Sequence, residues 1–463
     1  MDSPIYHLDF LNNRMLIALI AIIHVVINHG MAVGGIPLVT YLENKGIKTG
    51  EAKWDVLAKR LMFIFFIITT TMGAMSGVGI WFSVSLVNPV AIGSLLRVFF
   101  WAWSLEWVVF ITEVLLILWY FLSWKAPGHP QKKQHLKLGK ALSIASWITM
   151  AIIVSILGFM MDTGSWKGEG SLFSAFFNPV YLPQLAFRTP LALLLAGAMA
   201  LVVLVFLYML PHKDELPTRS QVLPVFGRWM LVWAVPLVLG SLWYRSVIPK
   251  YSVGNISVAV GTQAFSAWYH QLMLVSAGVS LSVVVIAIFC VFLPQKIPTL
   301  VLLIPALGLT GMLGLFERVR EFIRKPYAIQ GYLYSNGYRV QDYAILNRDG
   351  ILKHSTFYNI PKITNENKLE AGERVFLLAC SRCHTVSGIN SIRENVGRMY
   401  GFSEPWDKEK LSTYIGSMHN GRSFMPPFPG NNEEKSAVAS YIVSLQWIIT
   451  PLDGAQNKGL LNK

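Results

Sequence analysis

The sequence predicts an all-α fold: a polytopic bundle of about eight membrane-crossing helices, followed by a small α-helical domain. Three observations predict it. The 463-residue chain is 54% hydrophobic and only 14% charged, where a soluble domain carries roughly a quarter charged residues. Apolar runs long enough to cross roughly 30 Å of hydrocarbon, about 20 residues each, recur eight times. Beyond about residue 330 the composition turns polar and no further run of that length occurs.

In order, the runs are approximately 15–42, 57–86, 91–124, 138–162, 185–210, 226–248, 265–293 and 298–323, with short polar loops between them. The first lacks a basic leading region and a small-residue cleavage site, so a cleavable signal peptide is not expected. The net charge of +14 is explained by topology, because lysine and arginine in short loops mark the cytoplasmic side. The loop after the first run holds Lys45, Lys48, Lys53, Lys59 and Arg60. The loop after the third holds Lys125, Lys132, Lys133, Lys137 and Lys140, and that after the fifth Lys213, Arg219 and Arg228. The alternate loops hold only Lys167, Arg245 and Lys250. The expected protein lies in a bacterial inner membrane with both termini on the periplasmic side, and no nucleic-acid partner is expected.

Residues 330–366 show no helical period and are expected to link residues 1–329, the bundle, to a domain at 367–450, with 451–463 as a tail. The domain opens with "KLEAGERVFLLACSRCHTVSG". C-x-x-C-H is the attachment signature of c-type haem. Two thiols, Cys380 and Cys383, add to the haem vinyls, and His384 follows on the same short helix as proximal iron ligand. A zinc site would need about four ligands, and no other cysteine is near; Cys290 stands alone in the seventh run and reads as packing. Downstream, "GRSFMPPFPG" places Met425 before two prolines, on a stiff loop suited to the second axial position, with Met418 and His419 as neighbouring alternatives. The spacing and the closing "EEKSAVASYIVSLQ" look like a monohaem class I cytochrome c.

Ionisable residues inside spans are costly and are functional candidates by default. They are His24 and His29 in the first run, Arg97, Glu106 and Glu113 in the third, Arg188 opening the fifth and His270 opening the seventh. Glu106 and Glu113 are seven residues apart, on one helix face, as a proton path or as a pair hydrogen-bonded within the bundle. His24, on an apolar stretch, reads as an iron ligand beside a domain that already carries haem. The last run ends in "GLFERVREFIRKPYAI", where Glu317, Arg320, Glu321 and Arg324 fall at i, i+3, i+4 and i+7. Part of that stripe can be internal ion pairs. Its outward positive excess suits haem propionates at Arg320 and Arg324, with Glu321 available to iron.

On these residues the membrane part, roughly 1–330, resembles subunit I of the cytochrome bd oxygen reductase superfamily. "EFIRKPYAI" matches the E-x-x-R-x-P-aromatic core of that subunit's eighth-span motif, with Tyr327 in the tryptophan position. The resemblance implies Glu321 as ligand of a high-spin haem b, Arg324 as the motif arginine and His24, in "LIALIAIIHVV", as ligand of the active-site haem. "LEWVVFITEVLLILWYFLSW" resembles the segment with two acidic residues; Glu113 matches the second, and Glu106 the first at one residue closer than the family spacing. The chain also departs from the family. Arg188 stands where a fifth-span histidine would hold a low-spin haem b, which puts that haem in doubt, although Met273 matches its methionine partner and His270 lies one turn earlier. The loop "PKYSVGNISVAVGTQ" is short and lacks the charged quinol-site residues, and a ninth span is replaced by the C-terminal domain.

The resemblance implies a terminal reductase fed through haem c instead of quinol, reducing O2 to water. Its expected cofactors are covalent haem c, high-spin haem b, and haem d or a second high-spin haem b. Expected partners are a second integral-membrane subunit and a soluble or membrane-bound cytochrome c or other electron donor. An electron-transfer subunit with no substrate of its own, or a reductase of a nitrogen oxide, stay open as alternatives.

Overall fold

The computed structural model describes residues 4–11, 13–210, 213–261 and 269–447. The expected tail at 451–463 and the beginning of the expected seventh run lie outside the described residues, as does the side chain of His270. Among the described residues, eight helical segments are long and apolar enough to cross a membrane. The first is α1 (Asn13–Ile27), a π-turn (Asn28–Val33) and α2 (Gly35–Thr49); the second is α3 (Ala52–Ile68), a π-turn (Thr69–Gly73) and α4 (Ala74–Val87). After α5 (Pro89–Val98) come α6 (Phe100–Leu122) and α7 (Lys132–Met161). The short α8 (Trp166–Glu169) and α9 (Leu172–Phe176) lead to α10 (Tyr181–Leu207) and α11 (Arg219–Val247). The short α12 (Lys250–Gly254) and α13 (Ile256–Gly261) precede α14 (Tyr269–Phe292) and α15 (Ile304–Ile323).

The chain divides into two compact units. The larger comprises 20–80 and 95–323. Its centre is α10, in which every residue from Leu191 to Ala198 is buried. A helix apolar on every side is one enclosed by other helices. Small residues let its neighbours approach: a Cβ added to Gly34 would lie 2.0 Å from the Ala192 carbonyl oxygen, and one on Gly240 2.3 Å from that of Ala186. Backbone contact of this kind maximises dispersion between helices where lipid offers no hydrophobic gain.

Among the described residues, the smaller unit comprises 4–11, 13–19, 81–94 and 324–447. Its core is built on α17 (Lys368–Ala379) crossing α20 (Asn432–Ser444), with α18 (Ile392–Tyr400) and α19 (Lys408–Gly421) around them. Gly372 makes the crossing possible, since a Cβ there would meet the Ala437 carbonyl oxygen at 2.2 Å. Residues 330–366 are more ordered than their lack of periodicity suggests. A small hairpin, β1 (Tyr327–Ile329) and β2 (Leu333–Tyr334), is followed by α16 (Tyr343–Asp349), and Ile329, Leu333, Leu346, Ile351 and Leu352 are buried. Glu434 ties this stretch to α20, accepting hydrogen bonds from the Ile351 and Leu352 N–H groups at 2.8 and 2.7 Å.

Candidate functional site

In the larger unit His24 sits half-buried on α1 beside the second π-turn. Its Nδ1 is 3.1 Å from the Gly73 carbonyl oxygen and 3.3 Å from Ser76 Oγ. A carbonyl can only accept, so Nδ1 carries the proton and Nε2 keeps its lone pair, with no hydrogen-bond partner among the described residues. Metal-binding histidines are oriented this way by their second nitrogen. Gly77 supplies the room: an added Cβ would lie 3.1 Å from His24 Cε1. The π-turns at Asn28–Val33 and Thr69–Gly73 flank this imidazole, and π-turns inside helices are frequent at functional sites.

Next to it is a buried ionic network. Glu317 receives Arg188 Nη2 at 2.5 Å and Arg320 Nε at 2.9 Å, and Arg188 Nη1 donates to His29 Nε2 at 3.2 Å. Arg188 is 1% exposed and lies 5.5 Å over the Phe316 ring. A guanidinium has no lone pair for a metal, so Arg188 does not fit a low-spin haem at that position. Met273 is 58% exposed on α14. Glu321 is half-buried on α15, and Arg320 spends its Nε on Glu317. The helix stops at Ile323, so Arg324 leaves the expected stripe; it is buried in the smaller unit and donates from Nη1 to the Ala328 carbonyl at 2.8 Å.

On α6, Glu113 is buried and accepts from Ser146 Oγ at 2.5 Å and Thr149 Oγ1 at 3.0 Å, both on α7. Glu106, two turns away on the same face, is half-buried with no side-chain partner among the described residues. The pairing of His29, Arg188 and Glu317 was not apparent in the sequence. Nor was a second buried cluster of Glu43, Asp55, Tyr120, Lys132 and His135. Its only sequence signal is a set of acidic and basic residues inside the ends of apolar runs.

In the smaller unit α17 ends at Ala379, with Cys380 as its C-cap. Cys380–His384 therefore form a turn rather than lying on one helix as expected, closed by hydrogen bonds from the Cys383 and His384 N–H groups to the Cys380 carbonyl at 3.0 and 2.9 Å. Both cysteines are free thiols. Burial pushes the Cys380 thiol up to about 12. His384 repeats the arrangement of His24: Nδ1 is 3.1 Å from the Asn390 carbonyl oxygen, and Nε2 has no hydrogen-bond partner among the described residues. Burial, with the positive charge of Lys325 next, lowers the imidazole to about 4 and keeps it neutral. Lys325 Nζ lies 3.0 Å from Cys383 Sγ. Met425 is on the loop between α19 and α20, held through its N–H to the Arg422 carbonyl at 2.8 Å and through its carbonyl by His419 Nδ1. Among the described residues no three His, Cys, Asp or Glu side chains converge as a self-contained metal site. Single imidazoles with one free nitrogen are instead the ligands that suit a metal brought within a macrocycle.

The membrane helices have the fold of the cytochrome bd oxidases, at the level of distant structural homology. Among the solved structures this chain matches is that of bd oxidase from Geobacillus thermodenitrificans, with 14% sequence identity and a TM-score of 0.52, covering 68% of this chain and 87% of that one. Residues 367–442 match the family described as cytochrome C oxidase, cbb3-type, subunit III. No curated protein matches the chain.

Proposed function

We propose that this chain is a respiratory terminal reductase of the bacterial inner membrane, taking electrons through a haem c on its periplasmic side and reducing O2 to water. The observation that carries the proposal is the pair of imidazoles, one in each compact unit, each fixed through Nδ1 by a backbone carbonyl with Nε2 unclaimed. The bd oxidase fold and the family match over 367–442 support it.

Bound haems supply electron transfer and O2 activation; the residues supply position, charge and protons. Cys380 and Cys383 would hold haem c by thioether bonds, and His384 and Met425 would bind its iron. In the bundle His24 would hold the active-site haem, either haem d or a second high-spin haem b, which would supply the site of O2 reduction. Glu321 would hold the neighbouring high-spin haem b, and Arg324 and Arg320 would offset propionate charge. Glu113, held by two hydroxyls, and Glu106 pass the four protons that O2 needs along with four electrons to become two waters. Arg188, committed to Glu317 and His29, leaves no low-spin haem at its position, so electrons do not use that route. A second integral-membrane subunit and an external donor, a cytochrome c or another reductant, complete the system.

The test is O2 consumption by the purified chain with a reduced cytochrome c donor, set beside nitric oxide consumption. Rapid, cyanide-sensitive O2 uptake is the expected result. Consumption of nitric oxide alone would change the substrate, and consumption of neither would leave an electron-transfer subunit.

A further inference from the structure

The buried cluster at the basic-loop end of the larger unit is not used by the chemistry above. Its hydrogen bonds define its protonation. Lys132 Nζ donates to the Lys125 carbonyl at 3.0 Å and forms ion pairs with Glu43 Oε1 at 2.9 Å and Asp55 Oδ1 at 2.6 Å. Tyr120 donates its hydroxyl proton to Glu43 Oε2 at 2.6 Å, and Trp124 Nε1 donates to Asp55 Oδ2 at 3.1 Å. His135 Nε2 faces the Tyr120 carbonyl at 2.8 Å and therefore carries a proton, while Nδ1 faces Glu43 Oε1 at 2.6 Å. With a proton between Nδ1 and Oε1, the cluster holds two positive and two negative charges and is neutral. Without it, the cluster has one net negative charge around a carboxylate that is 0% exposed, an expensive state in low dielectric. One proton is thus singled out as loadable.

The placement gives that proton a source and a direction. Lys132 and His135 lie in the first turn of α7, next to exposed Gln131, Lys133 and Gln134. Glu43 is near the end of α2 and Asp55 near the start of α3. Of the other charges on these elements, Lys45 sits 4.7 Å over the Trp54 ring, Glu51 accepts from Trp54 Nε1 at 3.0 Å, Arg60 pairs with Glu215 at 2.5 Å, and Lys48, Lys53, Lys59, Lys133, Lys137 and Lys140 are exposed. Along α6, Tyr120 follows Glu113 at the seven-residue interval by which Glu113 follows Glu106, about 10 Å per step. Along α7, Lys132, His135, Gly139, Leu142, Ser146 and Thr149 form the facing buried stripe, and its last two polar members hold Glu113. Between Tyr120 and Glu113 on these faces stand the buried Ile117 and Leu142, an apolar interval that a proton passing between the two would have to cross.

We propose that Glu43 and His135, braced by Lys132 and Asp55, form a proton-loading site that draws from the basic-loop side and delivers through Tyr120 to Glu113. This rests on the reductase reading, which makes Glu113 a consumer of protons. The test uses the full haem-loaded chain and the variants Glu43→Gln, His135→Gln and Tyr120→Phe. Proton uptake on chemical reduction is read with a pH dye, and oxidant consumption is read separately in H2O and D2O. Glu43→Gln and His135→Gln are expected to lose about one proton of uptake per chain between pH 6 and 8 and to slow turnover about tenfold or more. Tyr120→Phe is expected to keep the uptake, slow turnover and enlarge the solvent isotope effect. Uptake equal to wild type in both loading-site variants would overturn the proposal and leave a structural cluster. If Glu43→Gln does not fold, His135→Gln decides. If the wild type consumes neither O2 nor nitric oxide, the reductase reading fails, and the uptake comparison still decides the loading site.

Discussion

Replacing Glu317 by alanine tests whether the buried network at Arg188 is structural in the way its geometry implies. The carboxylate is 4% exposed and lies 2.5 Å from Arg188 and 2.9 Å from Arg320. Its removal leaves two guanidinium groups, both buried, without their shared counter-charge and facing each other. Breaking a buried pair from one side costs about 3–5 kcal/mol, since the partner stays charged and dehydrated. At about 2–4 °C per kcal/mol for chains of a couple of hundred residues or more, the expected fall in Tm is of order 10 °C. The assay is thermal unfolding in detergent, followed by tryptophan fluorescence. The double variant Arg188→Met/Glu317→Leu should recover part of the loss, because well-packed apolar residues replace one buried pair at little cost while Arg320 still lacks its partner. A Glu317→Ala protein within about 1 kcal/mol of wild type, or a double variant with the summed loss of the singles, would refute the reasoning.

Other perturbations separate the two centres. His384→Ala should abolish covalent haem on a denaturing gel while leaving the non-covalent haem spectrum in place; loss of every haem together would contradict independent sites. His24→Ala should remove one CO-reactive haem without touching haem c, and Glu321→Ala should remove or convert the other high-spin haem. In the smaller unit Asp9 accepts from the Val386 and Ser387 N–H groups and from Ser387 Oγ, and Phe10 accepts from Ile389 N–H, so the loop after His384 is pinned by the N-terminal stretch. Burial works against the Asp9 charge, but these hydrogen bonds outweigh it and hold the carboxyl below its ordinary 3.8. The clamp is therefore present above that value and lost as pH falls through the lower folded one. Asp9→Ala should raise hydrogen exchange at 386–389 about tenfold or more at neutral pH, and exchange unchanged from wild type would rule the clamp out.

The eight spans were legible because crossing hydrocarbon imposes a length and composition that any 20-residue stretch displays by itself. The C-x-x-C-H signature is contiguous, but the turn that carries it was not legible: α17 ends at Ala379, with Cys380, the first residue of the motif, as its C-cap. The Arg188–Glu317 pair was illegible because 129 residues separate its members and neither carries a local sign of the other. The same holds for Glu43 and His135, 92 residues apart. Residues 330–366 read as featureless because strands of three and two residues and a seven-residue helix are too short for a period to appear. The π-turns beside His24 depend on packing against α10 and the neighbouring π-turn, for which no residue pattern in the chain is diagnostic.

The most direct test of the central claim is a haem count joined to a CO difference spectrum on the purified chain: pyridine haemochrome for type and number, then reduced-plus-CO minus reduced. One haem c per chain, with at least one non-covalent haem that binds CO and disappears in His24→Ala, is the predicted result. A preparation containing haem c alone, or non-covalent haem indifferent to both CO and His24→Ala, would contradict it.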